Sequence, residues 1–145
     1  MRQIVQRQLP VRSVVTVRHP LDSYLSLIAN GWVDFQPACL EEYCCRYLRF
    51  LDDYDEQPIF KYEDFVEDTS SELEKISRAL ELPFNAEFES GLDLIRLTGD
   101  SGRSGVAIVR RERREVGPQV REEVETSSSY HALCVRLNYV ASFEE

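Results

Sequence analysis

Arg18 and Ser26 stand eight positions apart in the run Val14-Val15-Thr16-Val17-Arg18-His19-Pro20-Leu21-Asp22-Ser23-Tyr24-Leu25-Ser26. The β-branched stretch from Val14 to Val17 reads as a buried strand. Pro20 suits the first position of a helix, where its missing N–H costs nothing. Leu21, Tyr24, Leu25 and Ile28 follow at helical spacing, and Gly31 is placed to end the helix. An arginine thus leaves the carboxyl end of a strand and a serine hydroxyl comes from the helix that follows. Ligands of open α/β sheets bind at that end of the strands. A guanidinium fork and a hydroxyl there suit an anion with several oxygens, such as a phosphate. Taken alone, the same Arg-x-Pro-x-Asp string also serves as a structural start to a helix.

The run from Arg18 to Ser26 resembles the 3′-phosphate-binding signature of sulfotransferases that use 3′-phosphoadenosine 5′-phosphosulfate. That signature has an Arg, often a Pro, then an Asp, with a Ser eight residues after the Arg. Three later segments resemble the same family, in its order. Pro58-Ile59-Phe60-Lys61-Tyr62-Glu63-Asp64-Phe65 is similar to its strand ending in Tyr-Glu-Asp-Leu, and Leu80-Glu81-Leu82-Pro83-Phe84 to the end of the next helix. Gly99-Asp100-Ser101-Gly102-Arg103-Ser104 with Arg111-Glu112-Arg113-Arg114 resembles a segment of bacterial and Golgi-type members. Tyr130-x-x-Leu133 with Asn138-Tyr139 resembles the closing Tyr-x-x-Leu … Gly-Tyr, with Asn in place of Gly.

The resemblance implies an α/β fold, a partial three-layer parallel sheet of the P-loop nucleoside-triphosphatase-like type, truncated at the N-terminus. It implies that Arg18, Ser26, Arg103 and Gly102 bind the nucleotide of 3′-phosphoadenosine 5′-phosphosulfate, the co-substrate, with no metal. Glycine beside Arg103 would let the backbone approach the anion closely. The implied reaction is transfer of a sulfuryl group to a hydroxyl acceptor, small-molecule or carbohydrate. Sulfuryl transfer, a cousin of phosphoryl transfer, depends on positioning and electrostatic stabilisation.

Two parts of that machinery have no counterpart. Members of the family carry a glycine-containing loop with a lysine or arginine for the 5′-phosphosulfate, and a His or Glu base, before the strand that ends at the arginine. Residues 1–17 contain no His, Asp or Glu, and the only lysines of the chain are Lys61 and Lys75. No phosphate loop of the Gly-x-x-x-x-Gly-Lys-Ser/Thr type occurs. The catalytic residues are therefore unknown, and this chain alone is expected to be inactive. Three readings stay open: an incomplete sulfotransferase, a non-catalytic nucleotide-binding or interaction module derived from one, and a basic patch at Arg110–Arg114 that docks an acidic partner. A missing strand would leave an open edge beside Val14, Val15 and Val17, favouring self-association or a complementing N-terminal segment.

The elements that must position these residues follow from periodicity. Strand one is expected near 12–18 and helix one near 20–30, with a short helix possible at 2–9. After Pro37, Leu40, Tyr43, Cys44, Tyr47, Leu48 and Leu51 form the apolar stripe of a second helix. Strand two is Ile59–Tyr62, parallel to strand one because helices join them. Thr69 and Glu72 read as the capping pair of a helix that buries Leu73, Ile76 and Leu80. Periodicity fades from Phe84 to Gly117, as in a long functional loop. Val120 and Val124 start another helix, and Tyr130, Leu133, Cys134 and Leu137 set a final one against the sheet. Asn138 can end it in the left-handed conformation. His19 reads as a capping residue, His131 as a surface one, Lys61 as a strand-end cation and Glu63 as a loop tie.

Composition bounds the rest. At 145 residues, 43% of them apolar, the chain is expected to be one folded domain over 1–145. A net charge of −9 argues against nucleic acid as a partner. Arginines nevertheless gather at Arg2–Arg18 and Arg96–Arg114, which suits a local anion pocket. Cys39, Cys44, Cys45 and Cys134 lack metal-ligand spacing and read as reduced thiols. With no apolar stretch near the roughly 20 residues of a membrane span and a polar start at Met1-Arg2-Gln3, a cytoplasmic address is expected.

Overall fold

The computed structural model describes residues 11–94, 108 and 112–143. They form a mixed α/β structure, mostly helical, with one small parallel sheet. The chain divides into two compact units: a sheet unit of residues 11–17 and 56–94, and a helical unit of residues 18–55 and 112–143.

In the sheet unit, β1 (Val15–Val17) pairs in parallel with β2 (Ile59–Lys61), and Val15, Thr16 and Val17 stand opposite Ile59, Phe60 and Lys61. Val15 and Val17 are buried while Thr16 between them is exposed, the alternation of a strand covered on one face. Both strands are shorter than the periodicity suggests, and β2 shows why. Pro58 offers only its carbonyl, which accepts the Val15 N–H at 2.9 Å. At the other end Tyr62 already opens α3 (Tyr62–Glu67), so the expected strand residue is helical. Before the ladder, Ser13 donates to the Gln57 side chain at 2.6 Å.

The next helix, α4 (Thr69–Leu80), is capped by Asp68, whose carboxylate accepts the Ser71 N–H at 3.0 Å. The expected capping pair is therefore displaced by one residue. Asp68 is the stronger cap, Thr69 becomes the first helical residue, and Glu72 pairs with Lys75 instead. Glu81 ends α4 in the left-handed conformation, φ 58°, its N–H returning to the Arg78 carbonyl. Leu73, Ile76 and Leu80 are half-buried rather than buried. A 3₁₀ helix follows at Phe88–Leu94, inside the segment where periodicity fades.

The helical unit holds α1 (Pro20–Asn30), α2 (Leu40–Asp53), α5 (Pro118–Thr126) and α6 (Ser128–Leu137). Proline opens α1 and α5 where an orphan N–H would otherwise stand. Gly31 at φ 69° and Asn138 at φ 53° end α1 and α6 as their residue types allow. The core is the seam where α6 packs on α2 and, less extensively, on α1. Leu40, Cys44 and Leu51 of α2 and Tyr130, Leu133 and Leu137 of α6 are all buried. Within its unit α6 packs on α2, which presents it a matching apolar stripe. No helix among the described residues is long and apolar enough to cross a membrane. The expected helix at 2–9 lies outside the described residues.

Candidate anion site at the head of α1

The strand-to-helix turn is built by His19. Its Nδ1 accepts the Leu21 N–H at 3.3 Å and so caps α1, while Nε2 lies 3.1 Å from the Val140 carbonyl. The two contacts together call for the neutral ring protonated on Nε2. Tyr139 packs on the same imidazole, ring centroids 5.0 Å apart. His19 thus fastens the head of α1 to the segment after α6, the capping role its position suggested.

Asp22, in the first turn of α1, accepts a 2.7 Å bond from Arg113 Nε, and Arg113 Nη1 donates to the Ser142 carbonyl at 3.2 Å. Both charged side chains are about nine-tenths buried, 10% and 11% exposed. The pair brings the Arg-x-Arg-Arg segment onto the Arg-x-Pro-x-Asp segment. Arg113 is therefore no solvated member of an arginine run: its charge is spent on Asp22.

Arg18 sits just before the cap, half-buried, and Ser26 lies half-buried in the second turn of α1. The helical rise separates Ser26 from Pro20 by about 9 Å along the axis. Arg18 also acts inside the unit. Burial pushes the Tyr43 phenol up from its ordinary value and Tyr47 adds to this, while a Ser23 hydrogen bond and the Arg18 charge pull the other way. Of the other nucleotide residues expected, Gly102 and Arg103 lie outside the described residues, as do Arg110 and Arg111. Lys61 ends β2, half-buried, and Glu63 is in the first turn of α3. His131 is exposed on α6.

Two carboxylates escaped the reading by spacing. Cys39 precedes α2 without a side-chain cap, and Glu123 of α5 fills the gap, accepting the Leu40 N–H at 2.8 Å and the Tyr24 hydroxyl at 3.3 Å. Burial, then the Glu123 charge, push the Tyr24 phenol up. In return Glu41 of α2 serves the start of α6, accepting from Ser127 Oγ at 2.6 Å, Ser129 N at 3.0 Å and Ser129 Oγ at 2.5 Å. Hydrogen bonds from Ser127 and Ser129 hold its carboxyl down to about 2. Both acids satisfy orphan N–H groups at positive helix ends. The only forewarning is that Glu41 precedes a run of serines at 127–129 by more than eighty residues. With Cys39, Thr126, Ser127 and Ser128 they line a cleft of about 240 Å³.

The thiols offer little chemistry. Cys44 and Cys134 are buried, and burial pushes both thiols up, away from the thiolate a nucleophile needs. Cys45 Sγ lies 3.1 Å from Ser129 Oγ. Among the described residues no His, Cys, Asp and Glu cluster is arranged to hold a metal ion.

Compared with known proteins, the chain matches no protein-family model, no curated protein and no solved structure.

Proposed function

We propose that this chain binds the 3′-phosphate end of 3′-phosphoadenosine 5′-phosphosulfate through Arg18 and Ser26, as a protein of the sulfotransferase family, and that Gly102 and Arg103 complete the site. The observation that carries the reading is the junction itself. A strand paired in parallel ends at Val17, Arg18 follows, and a helix opening at Pro20 bears Ser26. Ion pairing between Asp22 and Arg113 adds support, since it joins two of the segments that resemble the family. On this reading β1 and β2 belong to a parallel sheet of the P-loop nucleoside-triphosphatase-like type, and the acceptor is a hydroxyl compound. The isolated chain is a binder and not a catalyst, because residues 1–17 hold no glycine, lysine, His, Asp or Glu to serve the phosphosulfate.

Calorimetry with adenosine 3′,5′-bisphosphate tests the reading. A charge-assisted hydrogen bond contributes about 1.5–3 kcal/mol, so Arg18→Ala should weaken binding roughly tenfold or more. A thermal melt of the same variant separates lost affinity from lost packing beside Tyr43. Equal affinity for adenosine 5′-monophosphate, which lacks the 3′-phosphate, would overturn the assignment.

A further inference from the structure

The head of α1 rests on a side chain whose type changes charge near neutral pH. His19 is buried, 7% exposed, and its ring meets two backbone groups of opposite character. The Leu21 N–H needs a lone pair on Nδ1, 3.3 Å away, and the Val140 carbonyl needs a proton on Nε2, 3.1 Å away. Only the neutral ring with its proton on Nε2 serves both. A second proton would land on Nδ1 and face the Leu21 N–H donor to donor. That N–H would lose its cap, and the new charge would stand at the positive end of α1.

We propose that His19 is a proton-sensitive latch: neutral, it closes the head of α1 against the segment after α6, and protonated, it opens it. The charged and titratable groups around the ring oppose the proton more than they invite it. Arg18 precedes it with a fixed positive charge, and Arg113 brings a second from the segment before α5. Asp22 of α1 supplies a carboxylate, already matched by Arg113 at 2.7 Å. Tyr130 of α6 and Tyr139 after it bring phenols, with ring centroids 6.5 Å and 5.0 Å from the imidazole. Burial pushes the Tyr130 phenol up, so it carries no negative charge. The Tyr139 ring would favour a cation, but its plane is tilted by 59° from the imidazole and it replaces no lost cap. The unfolded chain therefore takes up the proton first. Stability that His19 supplies above about pH 6.5, the ordinary histidine value, is lost as pH falls below it. Arg18 shares this turn, but the latch does not rest on the nucleotide reading.

The full chain, labelled with nitrogen-15, is titrated from pH 8 to pH 4 by NMR. The chain has two histidines, His19 and His131, and His131→Gln assigns their signals. At pH 6 a free imidazole is about three-quarters protonated, whereas the His19 ring is expected to remain mostly neutral with its proton on Nε2. The Leu21 amide signal is expected to move along the same curve as the ring when the bond to Nδ1 is lost. Three results would each overturn the proposal: a ring protonated at pH 6 like free histidine, a neutral ring with its proton on Nδ1, or a Leu21 amide that does not follow the ring. A ring that never titrates before the chain unfolds would overturn it as well. Thermal melts of His19→Asn give a second reading, since asparagine caps a helix without titrating. From pH 7 to pH 5 the wild-type Tm should fall by about 3 °C more than the variant's. Parallel profiles would leave His19 a structural cap and remove the latch.

Discussion

The sheet unit and the helical unit solve the same problem at different range. Among the described residues of the sheet unit the buried apolar side chains are Val15 and Val17, and the buried residue of α4 is Glu72. Within α4 its polar groups are satisfied nearby: Asp68 caps three residues on, and Glu72 with Lys75 and Glu74 with Arg78 pair within one turn, while Ser13 with Gln57 and Arg12 with Glu81 are its distant contacts and both touch solvent. The helical unit buries Leu21, Tyr24 and Leu25 of α1, Leu40, Cys44 and Leu51 of α2, Val124 of α5 and Tyr130, Leu133, Cys134 and Leu137 of α6, and its charges are shared between elements distant in sequence. Local pairs form as soon as a helix does. Shared ones exist only when the whole unit is assembled, so the helical unit should melt as one body and respond more sharply to single changes.

The largest contrast is between two ion pairs. Removing one partner of a buried pair leaves an uncompensated charge and costs about 3–5 kcal/mol, whereas exposed pairs are worth about 0–1 kcal/mol. In urea unfolding, Arg113→Ala should therefore lose several kcal/mol, and Arg12→Ala, whose bond to Glu81 at 2.5 Å is exposed on both sides, next to nothing. Similar small losses would erase the distinction between the units.

Core truncation sharpens the same comparison. Leu133 is fully buried in the α2–α6 seam, and Leu133→Ala should cost about 2–5 kcal/mol. Half-buried Leu73 of α4 has less surface to lose, and its truncation should cost about 1 kcal/mol. Matching shifts in the urea midpoint would show the sheet unit to be packed as tightly as its neighbour.

The smallest effect is the most specific. Glu41 sits below its ordinary carboxyl value of 4.5, at about 2, so its stabilising bonds are fully present above about pH 4.5. They are lost as pH falls from there through about 2, because the unfolded chain takes up the proton first. Glu41→Gln should cost about 1 kcal/mol at neutral pH, as a lost cap does. Its thermal midpoint should also fall less steeply than the wild type's between pH 4.5 and 2. Parallel profiles in that window would show that Glu41 does not hold α6.

Much of the local structure was legible in residue types. Val15 and Val17 alternate with Thr16, Pro20 opens α1, and Gly31 and Asn138 close α1 and α6, all as the sequence suggested, whereas of the α2 stripe Leu40, Cys44 and Leu51 are buried and Tyr43, Tyr47 and Leu48 only half-buried. The cap of α4 lies one residue before the position that the Thr69–Glu72 spacing suggests, because Asp68 outcompetes Thr69. The candidate site was legible only in part. Arg18 and Ser26 were visible as a spacing, but the engagement of Asp22 by Arg113 and the Arg18 charge beside Tyr43 were not.

By itself the sequence determined the turn from β1 into α1 and the ends of α1 and α6, because those choices are settled among residues within about four positions of one another, the reach of a helical hydrogen bond. Tertiary structure alone decided which charges are spent and which are left to act. Leu40 meets Glu123 across 83 positions and Asp22 meets Arg113 across 91. No local rule links residues so far apart: they meet because packing the elements of the helical unit together removes water from the helix ends, and a buried N–H or carboxylate then requires whatever partner the fold brings within reach.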